Sequence, residues 1–436
     1  MSQHDGGLMP PDDDPRLGAL ITELQQRLGQ QLPQASTGFA AHMSRPPHGL
    51  AWLAQALASA LQPNNHNRDA GAACTEMELE AIAALGRMLG WPQAVGHLCS
   101  GGTVANLEAL WVARERGGAG RVVLATDQAH YCHARNAQLL GLPFEVLSSD
   151  AAGCWDVAAL ARRLARGDVG TVIATAGTTA LGAVDDLAAI AALRQAHDFR
   201  WQVDAAYGGY HRLAAGLSAP VRRAFDALPQ ADAIVIDPHK HGLQPLGCAA
   251  VLYPDASVRG VFAHEAPYCY FGGDEAGRQE RPPLHLGQLG LECSRSGATA
   301  AALWATLQWL PLTPDGCFAA DLSQGLAAAR TWHGWLQADT RWLPGPSPAL
   351  DIAAWLPAGT SLADRSTRAQ AVQAAAAGLG LHLGLVRLPA RLFGLTPGDA
   401  SVQALRAVWM KPLTADALQA AWMALDRAWL LTVGPG

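Results

Sequence analysis

The run Ala233-Ile234-Val235-Ile236-Asp237-Pro238-His239-Lys240-His241 sets four apolar residues, three of them β-branched, directly against a polar turn. Such a tetrad reads as a buried strand. Lys240 lies just beyond it. Burial strips an ammonium of its hydration, which favours the free amine, a nucleophile for an aldehyde. A lone lysine in a loop is usually a surface residue. Its neighbours along the chain argue otherwise.

Working outward, β-rich runs recur at Val122-Val123-Leu124, Phe144-Glu145-Val146-Leu147, Thr171-Val172-Ile173-Ala174, Trp201-Gln202-Val203 and Ala249-Ala250-Val251-Leu252-Tyr253. Helix-length stretches separate them, as at 156–166 and 186–197. This alternation predicts an α/β fold, a mainly parallel sheet with helices on both faces. Ligands then sit beyond the carboxyl ends of the strands. Upstream, Thr75 and Glu78 have the spacing of a capping box, and Ile82, Leu85 and Leu89 continue at helical period, predicting a helix over 76–89. Past residue 315 the chain turns Pro-rich, with further helices expected near 367–378 and 414–430. We therefore expect an N-terminal leader segment over 1–70 (disordered to about residue 15), a large domain over 71–315 and a small C-terminal α+β domain over 316–436.

The polar motifs all follow predicted strands. Asp204, in Val203-Asp204-Ala205-Ala206-Tyr207, is placed to pair with a protonated pyridine nitrogen, and small Ala206 leaves room for a flat ring. Ser100-Gly101-Gly102-Thr103 opens a helix, offering free amides and a positive dipole end to a phosphate. His130, in Asp127-Gln128-Ala129-His130, is placed to lie against that ring, and Ala176-Gly177-Thr178-Thr179 follows another strand. Singly, Asp204 reads as a helix cap, the glycines as a turn, and His130 or Thr178 as hydrogen-bonded structural residues. Five such elements in succession point to pyridoxal phosphate (PLP).

Composition narrows the class. The 436 residues carry a formal net charge of -6, are 50% hydrophobic and show no dense Lys/Arg stretch, so neither nucleic acid nor an anionic membrane is an expected partner. No apolar run is long enough to span a bilayer, and the start lacks the basic and apolar regions of a signal peptide. The eight cysteines form no CxxC pair, so no metal site is expected, and reduced thiols suggest a cytoplasmic location.

The motifs SGGTVANLEAL (100–110), TDQAHYC (126–132), TAGTTALGAVDD (175–186), VDAAYGGY (203–210) and DPHKHG (237–242) closely resemble the group II PLP-dependent amino acid decarboxylases. The likeness extends from about residue 35 to 430, through AACTEMELEAIAALGRMLGWP (72–92), LECSRSGATAAALW (291–304) and LRAVWMKPLTADAL (405–418). It implies a fold-type I enzyme with a sheet of the seven-stranded type. Lys240 would hold PLP as a Schiff base, Asp204 its ring nitrogen, and His130 would stack opposite Ala206. Gly101, Gly102, Thr103 and His239 would hold the phosphate, with Thr178 near the ring substituents. The resemblance also implies decarboxylation of an L-amino acid by a homodimer whose active sites lie at the interface, with the early segment, including His66, covering the site. Of Arg295 and Arg406, one would meet the substrate carboxylate or brace the dimer, an ordinary ion pair being the alternative for either. Many of these decarboxylases return a proton to the α-carbon from a loop Tyr. The comparable Gly272–Pro283 has none, although Tyr268 and Tyr270 lie just upstream. Plant relatives lacking that Tyr make an aldehyde, so oxidative deamination, transamination and β-elimination stay open, as does a non-catalytic homologue. The side chain of the substrate is not readable: Arg45, Arg68, Arg387 and Arg391 suit an acidic one, Trp52, Trp91 and Tyr268 an apolar one.

Overall fold

The computed structural model describes residues 15–262, 286–395 and 400–433. Residues 1–14 of the expected leader segment, and the loop bearing Tyr268, Tyr270 and Gly272–Pro283, therefore lie outside the described residues. In chain order the strands are β1 (Phe39–Ala40), β2 (Val95–Cys99), β3 (Val122–Thr126), β4 (Phe144–Leu147), β5 (Val169–Thr175), β6 (Arg200–Asp204), β7 (Ala233–Ile236) and β8 (Ala249–Tyr253). Then follow β9 (Trp342–Pro344), β10 (Ile352–Pro357), β11 (His382–Pro389) and β12 (Ser401–Val408).

The larger sheet has seven strands in the order β2-β8-β7-β6-β5-β3-β4. Its pairings are parallel except those of β8, which runs antiparallel to both β2 and β7. The alternation of a strand divides its residues between two covers. Leu124, Val172, Ala174, Ile234, Ile236 and Leu252 pack in one core with the helices Ala72–Leu89, Val157–Leu164 and Leu187–Leu193. On the opposite face, Val235, Ala249 and Val251 meet Ala105, Ala109 and Val112 of the helix Gly102–Ala113, while Val123, Ala125 and Ile173 meet its Leu110. This is the helix-covered sheet that the sequence predicted, with β2 added. Val95-Gly96-His97-Leu98-Cys99 carries a Gly and a His among its apolar residues, and so lacks the continuous apolar signal of the other strands.

The second sheet, in the order β1-β11-β12-β10-β9, is antiparallel apart from β1 against β11. Its core surrounds fully buried Trp332, Trp355 and Trp409 and includes Ala40. Residues before position 70 thus supply a strand to the C-terminal sheet, in addition to the leader role expected of them. Among the described residues no helix is long and apolar enough to cross a membrane, and the described cysteines are free thiols.

The capping box expected at Thr75 does not form. The helix starts a turn earlier, at Ala72, with Gly71 as N-cap. The turn before it closes with the Gly71 amide donating to Asn67 O, and a Cβ on Gly71 would lie 2.6 Å from Asn64 O. Thr75 is consequently inside the helix and buried, and Glu78 is released for another task. Its fully buried carboxylate accepts from Leu98 N at 2.7 Å, Asn65 Nδ2 at 2.8 Å and both Nη atoms of Arg295, at 2.7 and 3.1 Å. It pins β2 to the chain near residue 295. Removing one partner of a buried ion pair leaves an uncompensated charge. Glu78→Ala should cost about 3–5 kcal/mol in a denaturant titration, and a loss within about 1 kcal/mol, the usual worth of an exposed pair, would contradict this account.

Candidate active site

The carboxyl ends of β2, β3, β5, β6 and β7 surround a cavity of about 330 Å³. Asp204 closes β6 and Asp237 immediately follows β7; both are buried. The Asp204 Oδ2 accepts from His133 Nε2 at 3.0 Å and Asn106 Nδ2 at 3.2 Å, while Oδ1 accepts from Ala206 N at 3.0 Å. Burial alone would raise its pKa. The hydrogen bond and charge of His133, with a contribution from Lys240, outweigh that and bring the carboxyl down to about 2. An anion is thus fixed at the cavity floor.

Lys240 does not sit in the apolar setting expected for it. Its Nζ lies 3.0 Å from Asp237 Oδ2, in an ion pair whose lysine side chain is 21% exposed. The other oxygen, Asp237 Oδ1, is buried without a hydrogen-bond partner. Cys132 also lines the cavity, but burial and the nearby Asp204 and Asp237 push its thiol up to about 12, leaving it inert near neutrality. Lys240 supplies the one lysine amine among the residues lining the cavity.

Gly101 caps the helix Gly102–Ala113, whose Gly102 and Thr103 amides lack intrahelical acceptors. A Cβ on Gly102 would meet the Asp237 carboxylate at 2.8 Å, whereas one on Gly101 would meet nothing within 4 Å. Only Gly102 is therefore sterically required. The loop is braced from outside by Glu292, whose Oε2 accepts from Ser100 N at 2.8 Å. His239 lines the same end, its Nδ1–H and backbone N–H both donating to Cys248 O, at 2.7 and 3.0 Å.

His130 enters from the loop after β3. Its Nδ1 accepts from Cys132 N at 3.3 Å, which leaves Nε2 to carry the hydrogen. Burial lowers its pKa despite the pull of Asp204, so the ring is neutral at pH 7. Ala206 is also on the cavity wall. Thr178 is buried, and its Oγ1 accepts from Ala183 N at 3.1 Å; Gly177 and Thr179 face the cavity in its place.

The profile of the pyridoxal-dependent decarboxylase conserved domain matches residues 10–310. The chain belongs to the pyridoxal-dependent decarboxylase family. A probable L-tyrosine/L-aspartate decarboxylase of Methanothermobacter thermautotrophicus is 30% identical over 241 residues, 53% of this chain but 61% of that relative. A probable L-aspartate decarboxylase of Halobacterium salinarum is 32% identical over 291 residues, 65% of this chain and 74% of the relative. The crystal structure of Oryza sativa TDC with PLP and tryptamine superposes with a TM-score of 0.81 at 20% identity, covering 97% of this chain and 89% of that one.

The family's cofactor, pyridoxal phosphate, fits the residues present. A glycine cradle backed by helix amides, a buried carboxylate held ionised, and a lysine beside an under-satisfied aspartate are complementary to phosphate, pyridinium and aldehyde respectively. In this family member the expected substrate residues fare unevenly. Arg295 is spent on Glu78, Leu98 O and Gly287 O, with its side chain only 7% exposed, and is a brace instead of a substrate ligand. His66 belongs to the turn held against Ser294 and Arg295 and is absent from the cavity wall. Arg406, on β12, donates to Ala41 O and to the carbonyl of cavity-lining Thr179, and its buried Nε has no partner. Arg45, Arg68 and Arg391 are committed to Asp321, Glu76 and Asp127.

Several site residues carried no assigned role in the sequence reading: Asp237, His133, Asn106, Tyr207 and Thr179. His133 and Asn106 each lie about one helical turn beyond a recognised element, His130 and Gly102, a spacing that returns a side chain to the same face. Tyr207, on the cavity wall, donates its hydroxyl to Asp351 Oδ1 at 2.5 Å, just before β10. Gly102→Ala should push Asp237 aside and weaken PLP binding by at least about tenfold. Titration of apoprotein with PLP checks this, Gly101→Ala serving as the near-neutral control.

Proposed function

We propose that this protein decarboxylates an L-amino acid, releasing the corresponding amine and CO2, as a homodimer. The observation that carries the reading is the placing of a buried, ionised Asp204 and the Lys240–Asp237 pair around one cavity. When bound, PLP supplies an electron-withdrawing ring that takes up the electron pair left by a breaking bond at the α-carbon. Asp204 keeps a positive pyridine nitrogen favourable at one end of that system. Lys240 Nζ would hold the cofactor's aldehyde carbon, and as a free amine it has Asp237 Oδ2 at 3.0 Å to hold its proton. Neutral His130 offers an Nε2–H donor without adding a charge. Arg406, held behind Thr179 with an unpartnered buried Nε, supports a role in orienting the substrate carboxylate.

Exposed apolar side chains support a second chain. Cavity-lining Tyr131 is 65% exposed, and Trp52 and Leu57 of the helix Gly49–Ser59 are 56% and 65% exposed. Sedimentation should give twice the chain mass, reduced to a single chain by Trp52→Asp with Leu57→Asp. A wild-type protein that stays single at micromolar concentration would refute the pairing.

A different outcome is favoured by the lack of a Tyr in Gly272–Pro283: oxygen-dependent conversion to an aldehyde. Incubating PLP-loaded protein with a panel of amino acids, with and without oxygen, separates the two. We expect one amine with stoichiometric CO2, independent of oxygen, and neither product nor the visible cofactor band in Lys240→Ala. An oxygen-dependent aldehyde would replace this reading with the second. A keto acid, or retention of the carboxylate, would overturn both.

A further inference from the structure

We infer that His133 is a positioning residue for the cofactor, selecting which lone pair of Asp204 faces the pyridine nitrogen. The inference rests on the binding of PLP in this cavity. A carboxylate offers about four in-plane lone-pair sites, two on each oxygen. Both on Asp204 Oδ2 are taken, by His133 Nε2 at 3.0 Å and Asn106 Nδ2 at 3.2 Å. One on Oδ1 is taken by Ala206 N at 3.0 Å. A single acceptor position remains, on Oδ1, and a pyridinium N–H has nowhere else on this carboxylate to bind.

The partners of Asp204 are themselves fixed. Asn106 Oδ1 accepts from Gln202 Nε2 at 2.7 Å, and Gln202 lies two residues before Asp204 on β6. His133 is 1% exposed, within the helix Cys132–Leu139. Its backbone N–H donates to His130 O at 3.1 Å, and Asn136, one turn later, donates through Nδ2 to Thr103 O at 3.0 Å. One short helix thereby joins the ring-stacking His130, the Asp204 floor and the phosphate cradle. An Asp204 ionised by charge alone could rotate about its side-chain torsions; two donors on one oxygen hold its plane.

Because a carboxylate only accepts, His133 Nε2 carries the hydrogen. What matters is therefore a donor at that point, and a glutamine amide can supply one where leucine cannot. Apoprotein of His133→Gln and His133→Leu is titrated with PLP, following the visible band and its dependence on pH. Loss of a hydrogen bond to a charged group corresponds to roughly ten- to a hundredfold in affinity. We expect that loss, with a displaced absorption maximum, in His133→Leu, while His133→Gln keeps most of the affinity and the wild-type spectrum. Asn106→Leu, which removes the other Oδ2 donor, should move both readouts in the same direction. Equal affinities and spectra in His133→Gln and His133→Leu would overturn the inference. So would variants that differ only in thermal unfolding. Uptake of PLP by the wild type and its loss in Lys240→Ala bear on the cofactor itself, whereas the ratio between the two His133 variants bears on His133 alone.

Discussion

Keeping a carboxylate ionised at the buried end of β6 is the constraint on which the rest of the site depends. Asp204 is 5% exposed, and transfer of an unpaired charge to such a place would instead leave it protonated. The fold answers with converging donors from three elements: His133 from the helix after β3, Asn106 from the helix after β2, and the Ala206 amide from its own loop. The two side-chain donors come from strands that run parallel to β6, though not next to it, so that their carboxyl ends point the same way. The sheet order is thus a requirement of the electrostatics as much as of packing.

The edge strand β2 poses a related problem. It carries the glycine loop, yet it is paired to the sheet only through antiparallel β8. Buried Glu78 and Arg295 fix its far side, and Glu292 accepts from the Ser100 amide at the mouth of the loop. The LECSR-like motif around Arg295 is in this light a buttress for the cradle. Its arginine looks like a substrate ligand in sequence because a buried brace and a buried ligand demand the same side chain.

Local patterns carried the architecture far. β4, β7 and β8 coincide with the apolar runs, and β3, β5 and β6 exceed them by two or three residues, because strong β-formers followed by turn residues leave little ambiguity. Lys240, Asp204 and His130 were legible as cavity residues because each follows such a run, whereas Gly102 was found from a glycine pair opening a helix. What was hidden depends on contacts between distant residues. Thr75 and Glu78 had the spacing of a cap, but the Gly71 turn started the helix earlier and tertiary donors claimed Glu78. The burial argument for Lys240 missed Asp237, only three positions earlier, because it weighed the lost hydration of the ammonium and not the carboxylate in the same turn. Thr178 and Thr179 are indistinguishable by sequence; backbone geometry alone sends one to Ala183 and the other to the cavity.

Tyr207 ties these matters to folding. It lines the cavity, yet its hydroxyl is held by Asp351 at the entrance to the second sheet, and the cavity's other walls come from loops between residues 100 and 240. The lining residues all fall between 101 and 240, yet one of them, Tyr207, is set by Asp351 from far outside that stretch. The cofactor therefore recognises the assembled chain and has little to hold in an unfolded one. By mass action, PLP at a hundred times its dissociation constant would shift the folding equilibrium by about 2.7 kcal/mol. Vitamin supply would then govern not only how many molecules are active but how many survive.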